Sequence, residues 1–391
     1  MIEPAQIFCN GAIFDGQRLR AGMFAAFEEG RLTQIGPEAE MPTDVARVDL
    51  DGDILSVGYV DLQVNGGGGV MFNAAPSVGT LRRIAQAHRS LGVTHLLPTL
   101  ITDTRETTRA AIAAVADAMD LSLPGIAGLH LEGPHLSVAR KGAHDAALIR
   151  PMEEEDLAEL LTAAPRVRCL KVTLAPESVT EAQVARLAQA GILVSLGHSN
   201  ADFDTCQRYF AAGARCATHL FNAMSQIGNR APGLAGAAIA HGDVSSGLIA
   251  DGIHVHPTVM RLAWTAKRPP GRVFLVSDAM AVAGTTETEF ELGGRRITRQ
   301  DRQLRLTDGT LAGADLDLTQ AISVLVNDVG VGLEDALAAA TGTPAALIQR
   351  PDHGLEVGKT TLNEVIRIRA DLSGTRPLSS QDQSLSAVSA E

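Results

Sequence analysis

The sequence predicts an α/β protein, a (β/α)8 TIM-type barrel carrying a small β-sandwich built from its N- and C-terminal segments. Three observations lead there. Residues 1–56 hold short apolar runs punctuated by turn dipeptides, with no pattern long enough for a useful helix. Residues 57–350 switch to alternating apolar runs and amphipathic stretches, and eight strands can be counted. Carboxylates and imidazoles fall where four of those strands end.

In the first segment the candidate strands are Ile7-Phe8, Ala12 to Phe14, Met23 to Phe27, Arg31 to Ile35 and Val45 to Leu50. Asn10-Gly11, Asp15-Gly16, Glu29-Gly30 and Asp51-Gly52 supply the turns between them. The barrel then begins with a strand at Tyr59 to Val64, a helix near Ser77 to Ser90, a strand at Val93 to Pro98 and a helix at Thr104 to Met119. The third strand follows Gly125-Ile126-Ala127-Gly128-Leu129, small and apolar as a strand buried on both faces requires, and ends at Glu132 before Gly133-Pro134. Further strands are Val167 to Thr173, Gly191 to Leu196, Arg215 to His219, Ser245 to Ala250 and Arg272 to Ser277, with helices at Val179 to Ala190, Asp202 to Ala212 and Pro257 to Lys267. Thr288 to Leu311 reads as a β-hairpin insertion turning at Gly293-Gly294 and Asp308-Gly309. Residues 351–372 return to the sandwich, with two short strands between Gly354 and Ile368, and residues 373–391 read as a disordered tail.

Composition narrows the function. The chain has 391 residues, 45% hydrophobic and 20% charged, enough for a large core. A net charge of −12 and 3% aromatic content argue against nucleic acid and acidic membranes as partners. No run approaches the length of a membrane span. Cys9, Cys169, Cys206 and Cys216 have no CxxC spacing, and MIEPAQIFCN lacks a basic region followed by an apolar one. A cytoplasmic protein with reduced thiols is expected.

In a barrel of this kind function gathers where strands end. His130 and Glu132 point to one side of their strand, and buried ionisable groups need partners. Glu132 on the third strand, His198 after the fifth and His219 after the sixth form an oxygen-nitrogen-nitrogen donor set suited to zinc or another divalent ion. Three protein ligands leave one position open, and Asp278, after the eighth strand, remains as general base and acid. His88 and His95 lie away from the strand ends and read as surface or packing residues, His353 as a loop residue. Gly66 to Gly69 lacks the Lys-Ser/Thr of a nucleotide loop and reads as a close backbone approach. Arg295, Arg296, Arg299, Arg302 and Arg305 read as a solvated face.

Longer motifs then carry a family resemblance. Gly-Leu-His-Leu-Glu-Gly-Pro at 128–134, Lys141-Gly142-Ala143-His144, Leu196 to Ala201, Thr218 to Met224, Ala250 to His254 and Val276 to Ala279 stand in the order seen in N-acetylglucosamine-6-phosphate deacetylases of the amidohydrolase superfamily. The resemblance covers roughly residues 5 to 370. It implies hydrolysis of the acetamide of N-acetylglucosamine 6-phosphate by one metal-activated water, with Glu132, His198 and His219 holding one divalent ion, most simply Zn2+. Asp278 becomes the proton acceptor and donor, and His144 the residue against the acetyl carbonyl. Asn222 and Ala223, with Ala143 and the turn Leu311-Ala312-Gly313, resemble sugar contacts. His254 and Arg230 resemble the phosphate grip, Arg230 reaching in from a second subunit of a homodimer. N-acetylgalactosamine 6-phosphate, or another N-acyl amino-sugar phosphate, is the alternative substrate, and a non-catalytic sugar-phosphate binder is a minor one. Where many relatives carry His-x-His, Gln63-Val64-Asn65 offers amides, as in the one-metal branch. Lys171 is therefore not read as a carboxylated, metal-bridging lysine. Lys359 to Val365 departs from the family pattern, with consequences confined to the sandwich.

Overall fold

A computed structural model of the chain describes residues 5–350 and 353–378. At its centre are the parallel strands β1 (Tyr59–Val64), β2 (Val93–Ile101), β3 (Leu129–Glu132), β4 (Leu170–Leu174), β5 (Leu193–Leu196), β6 (Cys216–Ala217), β7 (Ser245–Leu248) and β8 (Val273–Leu275), neighbours in sequence order. All of β3, β4 and β7 is buried, as a sheet covered on both faces requires. Helices start where the sequence offers a side-chain acceptor: Ser77, Thr104, Thr180 and Asp202 cap the helices Val78–Ser90, Arg105–Asp120, Glu181–Gln189 and Phe203–Ala211.

Between β8 and β1 the ladder gives way to local contacts. A single bridge joins Val64 to Ala279, with Asn65 N–H donating to the Ala279 carbonyl at 2.9 Å. Beneath it the buried Asp61 carboxylate accepts the backbone N–H of Ser277 at 3.2 Å and of Gln63 at 3.1 Å. Burial, with the nearby Asp278 charge adding to it, pushes the Asp61 carboxyl up to about 7. Asp61→Ala leaves two buried donors without an acceptor and is expected to cost about 3 kcal/mol, read as a lower urea midpoint at unchanged slope; an unshifted midpoint would remove Asp61 from barrel closure.

Two small sheets from the termini face each other. One has the order Arg31–Pro37, Met23–Glu28, Gln6–Cys9, Ala46–Asp49; the other runs Thr375–Pro377, Val365–Ile368, Ile54–Val57, Ala12–Phe14, Leu19–Ala21. Phe8, Ile13, Phe27, Leu32, Leu55 and Val365 share their core.

Several expectations are corrected. The insertion is a four-stranded meander, Glu289–Leu292, Arg295–Gln300, Gln303–Leu306 and Leu311–Ala314, rather than a hairpin. Its unforeseen turn is Asp301-Arg302, at φ 51° and 59°, which carries no glycine to announce it. Between Gly354 and Ile368 only Val365–Ile368 is a strand; Thr361 makes one isolated bridge to Arg31. Residues 373–391 are not uniformly a tail: Thr375–Pro377 pairs with Val365–Ile368, whose outer edge offers it backbone partners, whereas residues 351–352 and 379–391 lie outside the described residues. Helices at Glu154–Ala163, Gly233–Ala240, Leu318–Val324, Leu333–Ala340 and Gly342–Leu347 were not assigned from sequence. Gly233–Ala240 is apolar all round and largely buried, so it has no polar face to set a helical period. Among the described residues no helix is long and apolar enough to cross a membrane.

Candidate active site

The C-terminal ends of the strands open into a cleft of about 420 Å³. Glu132, His198, His219 and Asp278 all line it, although they come from four strand ends well separated in sequence. Three of them sit on left-handed backbone, His198 at φ 48°, His219 at 26° and Asp278 at 49°, where the strand stops and the chain bends away.

Glu132 Oε1 lies 3.2 Å from His198 Nε2 and 3.1 Å from His219 Nε2, and the two imidazole nitrogens are 3.1 Å apart. All three side chains are buried. The His198 Nδ1–H donates to the Arg140 carbonyl at 2.8 Å, which turns the Nε2 lone pair toward the other two groups. Burial would push the Glu132 carboxyl up, but hydrogen bonds from His198 and His219 hold it well below the usual carboxylate range. A carboxylate and two imidazole nitrogens converging in a buried corner constitute a donor set for a divalent metal ion.

Asp278 stands beside this cluster. Its Oδ1 accepts from Asn65 Nδ2 at 2.8 Å and from Gln63 Nε2 at 3.1 Å, while the same Gln63 amide reaches Glu132 Oε1 and Oε2 at 3.2 and 3.3 Å. Burial and the neighbouring Glu132 charge push the Asp278 carboxyl up, against the opposing pull of His219 and the Asn65 hydrogen bond. Gln63 and Asn65 therefore orient the two carboxylates relative to each other. The sequence reading treated them only as amides unsuited to a second ion. Their i, i+2 spacing across the end of β1, which puts both on one face, was the available signal.

His144 Nδ1 lies 2.7 Å from Thr102 Oγ1 and accepts the Thr102 N–H at 3.3 Å. That acceptor role leaves the proton on Nε2, a donor 4.0 Å from Glu132 Oε2. Burial, reinforced by His198, pushes the imidazole down to about 3 and so holds it neutral. His254 is fixed by Asp251: Nδ1 donates to Oδ2 at 2.6 Å, and Oδ1 accepts the N–H groups of Ile253 and His254, each at 2.8 Å. Asp251 is a further positioning residue that the sequence reading missed.

Ala143, Asn222, Ala223, Leu311 and Gly313 line the same cleft. Ala312 does not; Leu311–Ala314 is a strand rather than a turn, and alternation sends the Ala312 side chain into the core of the inserted meander. Arg230 is exposed, outside the cleft of its own chain. Two arginines of the expected solvated face are instead turned inward: Arg295 Nη2 donates to the Ala143 carbonyl at 2.6 Å, and Arg299 pairs with Asp315 at 2.8 Å. Leu292 and Thr310 bring the meander to the cleft wall, so Arg295 ties it to the loop that carries His144.

The remaining ionisable groups stay below or beside the site. His130 takes Thr99 Oγ1 and Thr173 Oγ1 as partners at 3.1 and 2.8 Å, so threonine hydroxyls meet the need that its burial creates. Lys171 is buried with Nζ 3.4 Å from the Leu62 carbonyl. His88 is fully buried, its Nε2 2.9 Å from the Gly66 carbonyl, and packs beneath the glycine loop. His95 packs edge-on against His353.

This frame defines a class, a parallel barrel with metal-ligating side chains at its strand ends, and known proteins place the chain more closely. The amidohydrolase family profile matches residues 54–360. N-acetylgalactosamine-6-phosphate deacetylase of Shewanella sp. (strain ANA-3) is 45% identical over 316 residues, covering 81% of this chain and 79% of the relative. N-acetylglucosamine-6-phosphate deacetylase of Haemophilus influenzae is 34% identical over 342 residues, covering 86% and 88%. The crystal structure of the Pasteurella multocida N-acetylglucosamine-6-phosphate deacetylase superposes with a TM-score of 0.88 at 33% identity, over 95% of this chain and 97% of that one. The chain belongs to the amidohydrolase family, within its branch of N-acetylated amino-sugar-6-phosphate deacetylases.

Proposed function

We propose that the protein hydrolyses the acetamide of N-acetylglucosamine 6-phosphate, releasing acetate and glucosamine 6-phosphate. The observation that carries this reading is the convergence of Glu132, His198 and His219 beside an Asp278 held by Gln63 and Asn65 in one cleft. A divalent ion bound by those three ligands, for which zinc suits the oxygen-nitrogen-nitrogen set, supplies Lewis acidity and an acidified water. Asp278 takes the proton of the attacking water and delivers it to the amide nitrogen, so the amine leaves neutral. The His144 Nε2–H donates to the carbonyl oxygen as charge develops there. Gln63 and Asn65 keep the Asp278 carboxylate aimed through both transfers. Asn222, Ala223, Ala143, Leu311 and Gly313 provide the sugar contacts.

His254, oriented by Asp251, grips the phosphate. Arg230, exposed on its own chain, serves the cleft of a second copy in a homodimer. The four cysteines are all free thiols, which supports a cytoplasmic setting. A second substrate has its own support: the 45% identical relative carries the name of the N-acetylgalactosamine 6-phosphate enzyme.

Acetate release from both epimers, measured in parallel with purified metal-loaded protein, tests the reading. Turnover of neither sugar phosphate would sink it, and the ratio of the two rates assigns the epimer. His254→Ala is expected to raise KM for the phosphorylated sugar about tenfold while hardly changing the slow reaction of its unphosphorylated counterpart; equal losses on both would take His254 out of phosphate recognition.

A further inference from the structure

Along the strands that carry the metal ligands, the barrel holds a row of buried polar side chains that the proposed chemistry does not use. Five of them touch in succession. Ser195 Oγ on β5 lies 2.6 Å from Thr218 Oγ1, just after β6, and Thr218 Oγ1 lies 2.7 Å from Thr173 Oγ1 on β4. Thr173 Oγ1 is 2.8 Å from His130 Nε2 on β3, and His130 Nδ1 is 3.1 Å from Thr99 Oγ1 on β2. Thr99 Oγ1 also reaches the Leu97 carbonyl at 3.3 Å and accepts the Val64 N–H of β1 at 3.0 Å. All five side chains are buried.

The direction of these hydrogen bonds follows from the number of protons. Each hydroxyl owns one, and each contact can hold only one. Ser195 Oγ has Thr218 as its sole partner among the described residues, so its proton goes there. Thr218 must then donate to Thr173, Thr173 to His130 Nε2, and His130 Nδ1–H to Thr99, whose own proton ends on the Leu97 carbonyl. The reverse order leaves the Ser195 proton without an acceptor. An imidazolium, donating from both nitrogens, does the same. A buried donor with no acceptor is costly, so the one-way order with a neutral His130 prevails.

The row runs beside the functional groups. His130 stands two residues before Glu132 on the same face of β3, and Thr218 directly precedes His219. Val64, whose N–H enters the row at Thr99, lies between Gln63 and Asn65, the two amides that hold Asp278. We propose that His130 is a positioning residue: as the neutral Nδ1–H tautomer it joins the two halves of a one-way row of hydrogen bonds and so fixes the strand ends bearing Glu132, His219 and the Gln63-Asn65 pair relative to one another. It lies outside the cleft lining and acts through its neighbours. Its effect on metal binding rests on the metal-site reading above; its tautomer does not.

Long-range 1H–15N correlation spectra of the 15N-histidine-labelled, zinc-loaded wild type read the tautomer. The His130 signal is identified by its absence in His130→Gln or by its shift in Thr173→Ser. An Nδ1–H imidazole is expected; an Nε2–H imidazole or an imidazolium would overturn the proposal. Thr173→Val keeps the shape of the side chain but removes the link. It is expected to lower zinc affinity about tenfold, the low end for residues that hold metal ligands in place, measured by competition with a chromogenic chelator. Thr173→Ser keeps the hydroxyl, and Ser246→Ala removes a buried hydroxyl that has no partner; both are expected to bind zinc as the wild type does. Wild-type affinity in Thr173→Val, or an equal loss in all three variants, would also overturn it. The tautomer is read independently of affinity, so failure of the metal site is told apart from failure of this row.

Discussion

Asp278→Asn is expected to lower turnover by about 10²- to 10⁴-fold while metal content stays at the wild-type level. The amide preserves the shape of the side chain and can still accept from Asn65 and Gln63, which both address Oδ1. It cannot take a proton from water or return one to the amine. The pH dependence gives a second readout. Burial and the adjacent Glu132 charge raise the Asp278 carboxyl above its ordinary 3.8. The base must start ionised, so activity grows as pH rises through that elevated value and falls away below it. The wild type therefore shows an acidic limb that the residual rate of the variant lacks. Wild-type turnover in Asp278→Asn would exclude the residue from proton transfer.

Glu132→Gln is expected to empty the site of metal. The buried carboxylate supplies the only formal negative charge among the three converging ligands, and its Oε1 is within 3.2 Å of both imidazole Nε2 atoms. Loss of a residue that only hydrogen-bonds to a metal ligand commonly costs about 10- to 100-fold in metal affinity, so losing this ligand itself should cost more than about 100-fold. Metal analysis after gel filtration measures it directly. Chelation of the wild type should abolish acetate release, and added Zn2+ should restore it. A Glu132→Gln protein that retains one ion per chain would show that the cluster is not the metal site.

Much of this was legible from sequence because strong local rules agreed. Three of the five helices placed from sequence begin at a polar acceptor ahead of an apolar stripe, and Ser77, Thr104 and Asp202 mark their starts to within a residue. Glu132, His198, His219 and Asp278 could be found because each closes a strand of recognisable apolar pattern, and strand ends converge in a barrel. What escaped was set by tertiary context. The helix Gly233–Ala240 carries no periodicity because it is buried on nearly every side. Ala312 could not be separated from Leu311 and Gly313 without knowing that the segment is extended. Arg295 resembles its exposed neighbours in composition, and only the fold of the meander carries it to the Ala143 carbonyl.

The backbone at His198, His219 and Asp278 has a consequence for how the molecule can change. Left-handed φ values disfavour a side chain at each of the three by about 1–2 kcal/mol, so glycine would relieve a local penalty there while deleting a group that the chemistry needs. Heat tolerance and turnover thus pull in opposite directions at these positions. An enzyme adapted for endurance alone would tend to lose its reactive groups there before its barrel.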